Sequence, residues 1–387
     1  MTVKLKKKKL FFFLLIVTYG LRAITDALFV SREISSAWTA MKYATLLLAV
    51  AYGFCCLCHS GHRWKYLYLL QNISIVVFTF ILISSFRMIY TGVFSSAVFK
   101  LAVHMLLPAI VSVIALNLAD SDDIYNCLSW ILCVALFIYC VFEIGVQMFS
   151  WVNIATISFN NSLSPFESHY TSATAMALSA YFSFDRRKKS VTFLSLIFSL
   201  LTFKRVFVVS SIVLFFLPMF IDVHRRVSIQ MHRLCAMGIC AVAVAYYWCL
   251  IPENHAFLER FLGIESVYEF TSSRSGFFEK IYSNPFFVNF GWGACEAALG
   301  RLLEMDMIQM LIEVSVIGVA VFVFMYWRIT GTTIYGMVYM GFHFINMLTS
   351  HCLENAFVWI IILVSLAQVD GNVKQNKKKR WKFVIGV

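Results

Sequence analysis

A stretch of thirty-one residues, Val191 to Ile221, is apolar but for Lys204-Arg205 near its middle, and it is too long for one membrane helix. It is bounded by Asp185-Arg186-Arg187-Lys188-Lys189 on one side and Asp222-Val223-His224-Arg225-Arg226 on the other. Basic flanks favour the cytoplasmic side of a membrane. With both flanks inside, the chain crosses twice between them, and the turn falls near Lys204-Arg205 at the outer surface. Irregular backbone at membrane depth survives only where protein or a wet cavity covers it. An arginine there is costly without an anionic partner. Two short helices meeting at Arg205 therefore predict a site built into the membrane.

The rest of the chain repeats the membrane signal. Of 387 residues, 60% are hydrophobic and 13% charged, with a mean hydropathy of +0.79. Apolar runs long enough to span recur from end to end, at 10–30, 36–58, 66–86, 98–118, 126–149, 170–184, 191–203, 206–221, 234–251, 307–327, 334–350 and 356–369. We read an all-α, polytopic integral membrane protein of about twelve transmembrane helices, one membrane domain over residues 1–387. Even parity and lysine-rich ends put both termini in the cytoplasm. The start, Lys4 to Lys9 followed by Leu10-Phe11-Phe12-Phe13, mimics a signal peptide, but no small-residue cleavage site follows, so a retained first helix is expected. The net charge of +12 sits in clusters at the expected cytoplasmic ends. Orientation accounts for it, and no nucleic-acid partner is called for.

The eleven cysteines lie mostly inside apolar runs and read as small buried hydrophobes. Cys55-Cys56-Leu57-Cys58-His59 has zinc-like spacing, but it lies where a helix leaves the membrane and has no second ligand cluster. No metal or cofactor is expected. The external loops are unequal, and the one at 252–305 is by far the largest. Phe257-Leu258, Phe261-Leu262 and Ile264 give it one amphipathic face for the membrane surface.

Three external elements carry candidate chemistry. The first is Lys204-Arg205. The second is Ser273-Arg274-Ser275-Gly276, followed by Lys280, Tyr282, Asn284-Pro285-Phe286, Gly291-Trp292-Gly293 and Arg301. The third is Glu304-Met305-Asp306, opening a helix with Glu313 and Val316-Ile317-Gly318. Arg205 and Arg274 suit a diphosphate, because a guanidinium offers phosphate a planar fork and stays charged. Gly291 and Gly293 allow a tight turn or close backbone approach. Asp306, Glu304 and His169 are the candidate bases. His343, His351 and Glu354 near another external end are read as structural or as lining the same cavity.

Together these elements resemble the O-antigen polymerase and ligase superfamily of bacterial envelope proteins. The likeness rests on Thr202-Phe203-Lys204-Arg205-Val206, on the large late loop with Arg274, Asn284-Pro285-Phe286 and Gly291-Trp292-Gly293, and on the acidic-to-apolar run from Asp306 to Gly318. It covers roughly residues 160 to 330 in pattern. What the resemblance implies is a metal-independent glycosyltransferase of the bacterial inner membrane. It would join undecaprenyl-diphosphate-linked glycan units on the periplasmic face, in the lipid bilayer, alongside a chain-length regulator and a flippase. By position, Arg205 and Arg274 would handle the lipid diphosphate as catalytic residues. Lys204, Arg301, Lys280, Tyr282, Gly291, Trp292 and Gly293 would contact substrate, with aromatics stacking on sugar faces. Asp306, Glu304 or His169 would act as base toward a sugar hydroxyl. Ligases of the family place a histidine where the helix after the large loop begins. This sequence has none between His255 and His343, which favours polymerase over ligase. A flippase for the same lipid-linked units is the alternative from another class.

Overall fold

The computed structural model describes residues 2–30, 36–60, 64–145, 171–271 and 273–384. It is all-helical, and a helix occupies each of the twelve predicted segments, at 126–149 within its described part. Among the described residues, seven helices are long and apolar enough to cross a membrane: Lys8–Leu28, Ala37–His59, Leu67–Thr91, Ala97–Leu118, Ser121–Glu143, Ile229–Leu250 and Asp306–Ile329. Lys189–Leu201, Arg205–Phe220 and Ala356–Gly371 are apolar but shorter. The chain divides into two compact units, with one boundary inside the fourth helix between Ala109 and Ile110.

The first unit takes residues 1–67, 110–224 and 357–387. It holds α1 (Thr2–Val30), α2 (Ser36–Ser60), the later part of α4 (Ala97–Leu118), α5 (Ser121–Ile138), α6 (Thr171–Phe184), α7 (Lys189–Leu201), α8 (Arg205–Phe220) and α16 (Ala356–Val384) from Phe357 onward. A turn of π-helix, Tyr139–Glu143, extends α5. Helix α6 is buried on all sides from Thr171 to Ser183, which its run of Ala, Ser and Thr permits by letting α7 and α8 close in. A helix without a polar face belongs inside a core.

The predicted α7–α8 hairpin is present. Thr202 caps α7, Phe203 takes a φ of 48°, and Lys204 caps α8. Ser199 and Ser211 hydroxyls hydrogen-bond across the pair at 2.6 Å, so the two short helices meet through small polar groups. At the basic end, Arg186 donates to the carbonyls of Ser183 and Phe215. Arg187 pairs with Asp185 and Asp122.

The second unit takes residues 68–109 and 225–356. It holds α3 (Leu67–Thr91) from Tyr68, the first part of α4, α9 (Ile229–Leu250), α14 (Asp306–Ile329) and α15 (Ile334–Thr349). Helix α9 packs on α14 and α15. His232 and Trp327 lock α9 to α14, since the indole donates to the His232 carbonyl at 2.8 Å. The large loop folds as four short helices, α10 (His255–Leu262), α11 (Val267–Phe270), α12 (Arg274–Tyr282) and α13 (Ala294–Leu299). On α10, Leu258 is buried while Phe257 and Phe261 stack on each other and stay exposed, the amphipathic pattern expected from sequence. Leu250, Phe278, Ile281, Cys295, Leu303, Met305 and Ile308 form one apolar cluster. That cluster ties the end of α9 to α12, α13 and the start of α14, and so fixes the elements that carry the candidate site.

Candidate functional site

The site in the second unit is built on the first turn of α14. The chain reverses there through Gly300 at φ 67° and Glu304 at φ 58°. Leu303 and Met305 are fully buried on either side of Glu304. This anchors Asp306 with no exposure to solvent. Its Oδ2 accepts the backbone N–H groups of Cys352 and Leu353 at 2.5 and 2.6 Å. Its Oδ1 lies 2.7 Å from Nδ1 of His351. The carboxylate thus pins the α15–α16 loop to the start of α14.

His351 is the solvent-facing member of this pair, with 19% of its side chain exposed. Burial works against its charged form, but the adjacent charge of Asp306, with Glu354 and Glu296 beyond, outweighs it and raises the imidazole to about 9. His351 is therefore a cation at neutral pH. The surroundings extend the network. Glu354 sits 3.6 Å from Lys100 Nζ and 3.8 Å from His104 Nδ1. His343, buried on α15, is within electrostatic reach of Asp306.

A second polar arrangement interrupts α14 about two and a half turns deeper than this site. Ser315 adopts φ 67°, ψ 175°, a non-helical conformation inside the helix. The break deprives the carbonyls before it of their helical donors, and membrane interiors offer no water to replace them. Arg87 of α3 fills that role, donating through Nη1 to the carbonyls of Ile312 and Glu313 at 2.8 and 2.9 Å. Asn289 donates to Ile312 at 2.6 Å. The fully buried Glu313 carboxylate accepts the Cys295 N–H at 2.7 Å and the Gln309 amide at 2.9 Å. Burial, reinforced by Glu313, pushes the Cys295 thiol well above its ordinary value.

The glycines beside this break do what their sequence suggests. Gly291 and Gly293 take φ of 101° and 94°, and a Cβ on them would lie 2.6 Å from Ser84 and 2.7 Å from Ala97. Trp292 between them is 2% exposed, stacks on Phe80 at 6.0 Å and donates its backbone N–H to Ser84. Its ring is packing, so the sugar contact expected of it is not available.

The other expected residues are scattered. Arg274 opens α12, donates from Nη1 to the Thr271 carbonyl at 3.1 Å, and buries an Nε with no hydrogen-bond partner among the described residues. Arg301 pairs with Glu304 at 2.8 Å and lies 4.4 Å over the Phe277 ring, with Lys280 5.8 Å from the same ring. Tyr282 is 46% exposed and stacks on Phe278. Arg205 opens α8 in the first unit and is exposed, while Lys204 lies 5.3 Å from the Phe207 ring. His169 lies outside the described residues. The two candidate bases on this turn differ in access: Asp306 is fully buried, while Glu304 is partly exposed beside Arg301. Among the described residues, no group of three or more His, Cys, Asp and Glu could hold a metal ion.

Sequence reasoning passed over Arg87, Lys100, His104 and Asn289. Arg87 was visible as a lone charge inside an apolar run, and intramembrane charges mark sites by default. The i, i+4 pair Lys100 and His104 was visible as one helix face. Compared with models of known protein families, with curated proteins and with solved structures, the chain finds no match in any of the three.

Proposed function

We propose that this chain is a polysaccharide repeat-unit polymerase of the bacterial inner membrane. In this reading it crosses twelve times, keeps both termini in the cytoplasm and joins lipid-diphosphate-linked oligosaccharides at the outer face. The growing glycan on undecaprenyl diphosphate is the donor, and a hydroxyl of a new lipid-linked unit attacks its anomeric carbon. The C–O bond to the diphosphate breaks, and the hydroxyl proton leaves to a base.

The sequence pattern supports this reading, and one structural observation carries it further. The second unit holds a fixed cation, His351 on buried Asp306, and an arginine, Arg274, whose buried Nε lacks an acceptor among the described residues. A diphosphate leaving group needs preorganised positive charge as its bond breaks, and each of these residues offers a group of that kind. The test is lipopolysaccharide banding from a strain lacking the gene. A core carrying a single repeat, restored to a ladder by the wild type, supports a polymerase. An unchanged ladder would refute it.

The ligase reading also gains a specific observation. The histidine missing from the sequence at the start of α14 is supplied in space by His351, 2.7 Å from Asp306. Core without repeats, with long lipid-linked polymer accumulating, would favour the ligase. Core without repeats and without such polymer would favour a flippase.

A further inference from the structure

Apart from these elements, the first unit buries three charged groups between α1 and α2. Arg22 and Asp26 pair at 2.8 Å along α1, with 14% and 8% of their side chains exposed. Lys42 of α2 is 6% exposed. Its ammonium lies 5.5 Å from the Tyr43 ring and within electrostatic reach of both Arg22 and Asp26. Among the described residues it has no hydrogen-bond acceptor and no ion-pair partner within bonding distance. The lining is otherwise aromatic. Arg22 lies 5.4 Å over the ring of Phe357, and the Tyr19 hydroxyl donates to the Phe357 carbonyl at 2.6 Å.

Among the described residues, two cations and one carboxylate leave one positive charge in excess. A largely buried lysine with no ion-pair partner within bonding distance among the described residues is unfavourable unless an anion joins it. The depth is informative too. Asp26 is about 6 Å of helix from the end of α1 at Val30, and Lys42 about 9 Å from the start of α2 at Ser36. Both helices exceed the hydrocarbon thickness, so this cluster lies toward a headgroup layer rather than at mid-bilayer. It is at the end of α1 opposite the lysines of its first turns.

We propose that Arg22 and Lys42 form a binding site for a singly charged phosphate group, the phosphodiester of an anionic membrane lipid. Arg22 keeps Asp26 on its Nε side, which leaves its remaining donors for phosphate oxygens, and Lys42 supplies a point charge. A zwitterionic headgroup carries its own cation and gains less from the unpaired charge. This site is independent of the polymerase reading.

The test uses the full chain in nanodiscs of phosphatidylcholine alone, or of phosphatidylcholine with phosphatidylglycerol, and in detergent with inorganic phosphate. Thermal unfolding and lipid retention in native mass spectrometry are read together. Phosphatidylglycerol should raise the melting temperature of the wild type and be retained about tenfold over phosphatidylcholine. Lys42→Met should abolish both effects, and Lys42→Arg should keep them. Stabilisation by inorganic phosphate to the same extent, lost in Lys42→Met, would keep the anion site but reassign its source to a soluble phosphate. Equal responses in wild type and Lys42→Met would overturn the site. If Lys42→Met does not fold, the wild type decides alone, since no preference for phosphatidylglycerol and no response to phosphate would overturn it.

Discussion

Replacing Asp306 with asparagine should abolish a specific pH dependence of stability. His351 is raised from an ordinary 6.5 to about 9. A histidine raised in the folded state contributes its full stabilisation below its unfolded value and loses it as pH climbs through the folded value. The window is therefore pH 6.5 to about 9. At about 1.4 kcal/mol per pH unit, the gap corresponds to about 3 kcal/mol, and His351 is buried enough for most of that to survive solvent screening. The wild type, unfolded in mixed micelles of a mild detergent and dodecyl sulfate, should lose about that much between the two ends of the window. Asp306→Asn keeps an oxygen for the Cys352 and Leu353 N–H groups but removes the charge that holds His351. It should start about 1–3 kcal/mol less stable at the acid end and then show little further loss. Tryptophan fluorescence follows the transition. Equal losses in wild type and Asp306→Asn across the window would refute the assignment of this pH dependence to the pair.

Other substitutions test the neighbouring elements. Arg87→Met should destabilise by about 2–4 kcal/mol, because it strips a charged donor from two carbonyls at the break in α14; detergent unfolding reads the loss. Gly291→Ala should cost about 2–4 kcal/mol, from a positive φ of 101° and a Cβ 2.6 Å from Ser84, and should appear as reduced folded protein in membranes. Arg301→Ala should change stability by about 1 kcal/mol or less, since its pair with Glu304 is half exposed. For function, Arg274→Ala should stop glycan elongation at normal protein levels and Arg274→Lys should impair it, because a point charge lacks the fork.

The twelve helical segments were legible because an apolar run has few alternatives in a membrane, and the α7–α8 turn was legible because Lys204-Arg205 interrupts one such run. Gly291 and Gly293 were legible for the same local reason, since only glycine suits a positive φ under a close neighbour. What stayed hidden depends on contacts distant in sequence. Asp306 looked like an ordinary first-turn acid, favoured by the helix dipole, and nothing local said that His351 would close on it. Trp292 looked like a sugar platform until Phe80 of another helix covered it. The break at Ser315 left no mark, because its neighbours Val314 and Val316 are ordinary in a membrane helix; its compensation, Arg87, lies 228 positions earlier in the chain.

The Asp306–His351 pair also limits which way a proton can move. A general base must be unprotonated before it acts, and an imidazole raised to about 9 is protonated at neutral pH. Asp306 is unprotected by solvent contact of any kind, so substrate cannot reach it directly. Under the proposed polymerase reading, His351 would then act as a fixed cation or an acid toward a phosphate oxygen, and the hydroxyl proton would go elsewhere. This gives the two possible roles opposite pH profiles. A cation role predicts glycan transfer that holds through neutral pH and falls as pH passes about 9, with His351→Arg retaining more transfer than His351→Gln. A base role predicts transfer that rises through the same range, with both variants inactive. Transfer by purified protein on a lipid-linked donor, at saturating and limiting donor, separates these. A rising alkaline limb in the wild type would remove His351 from the diphosphate and make it the base that the sequence left unassigned.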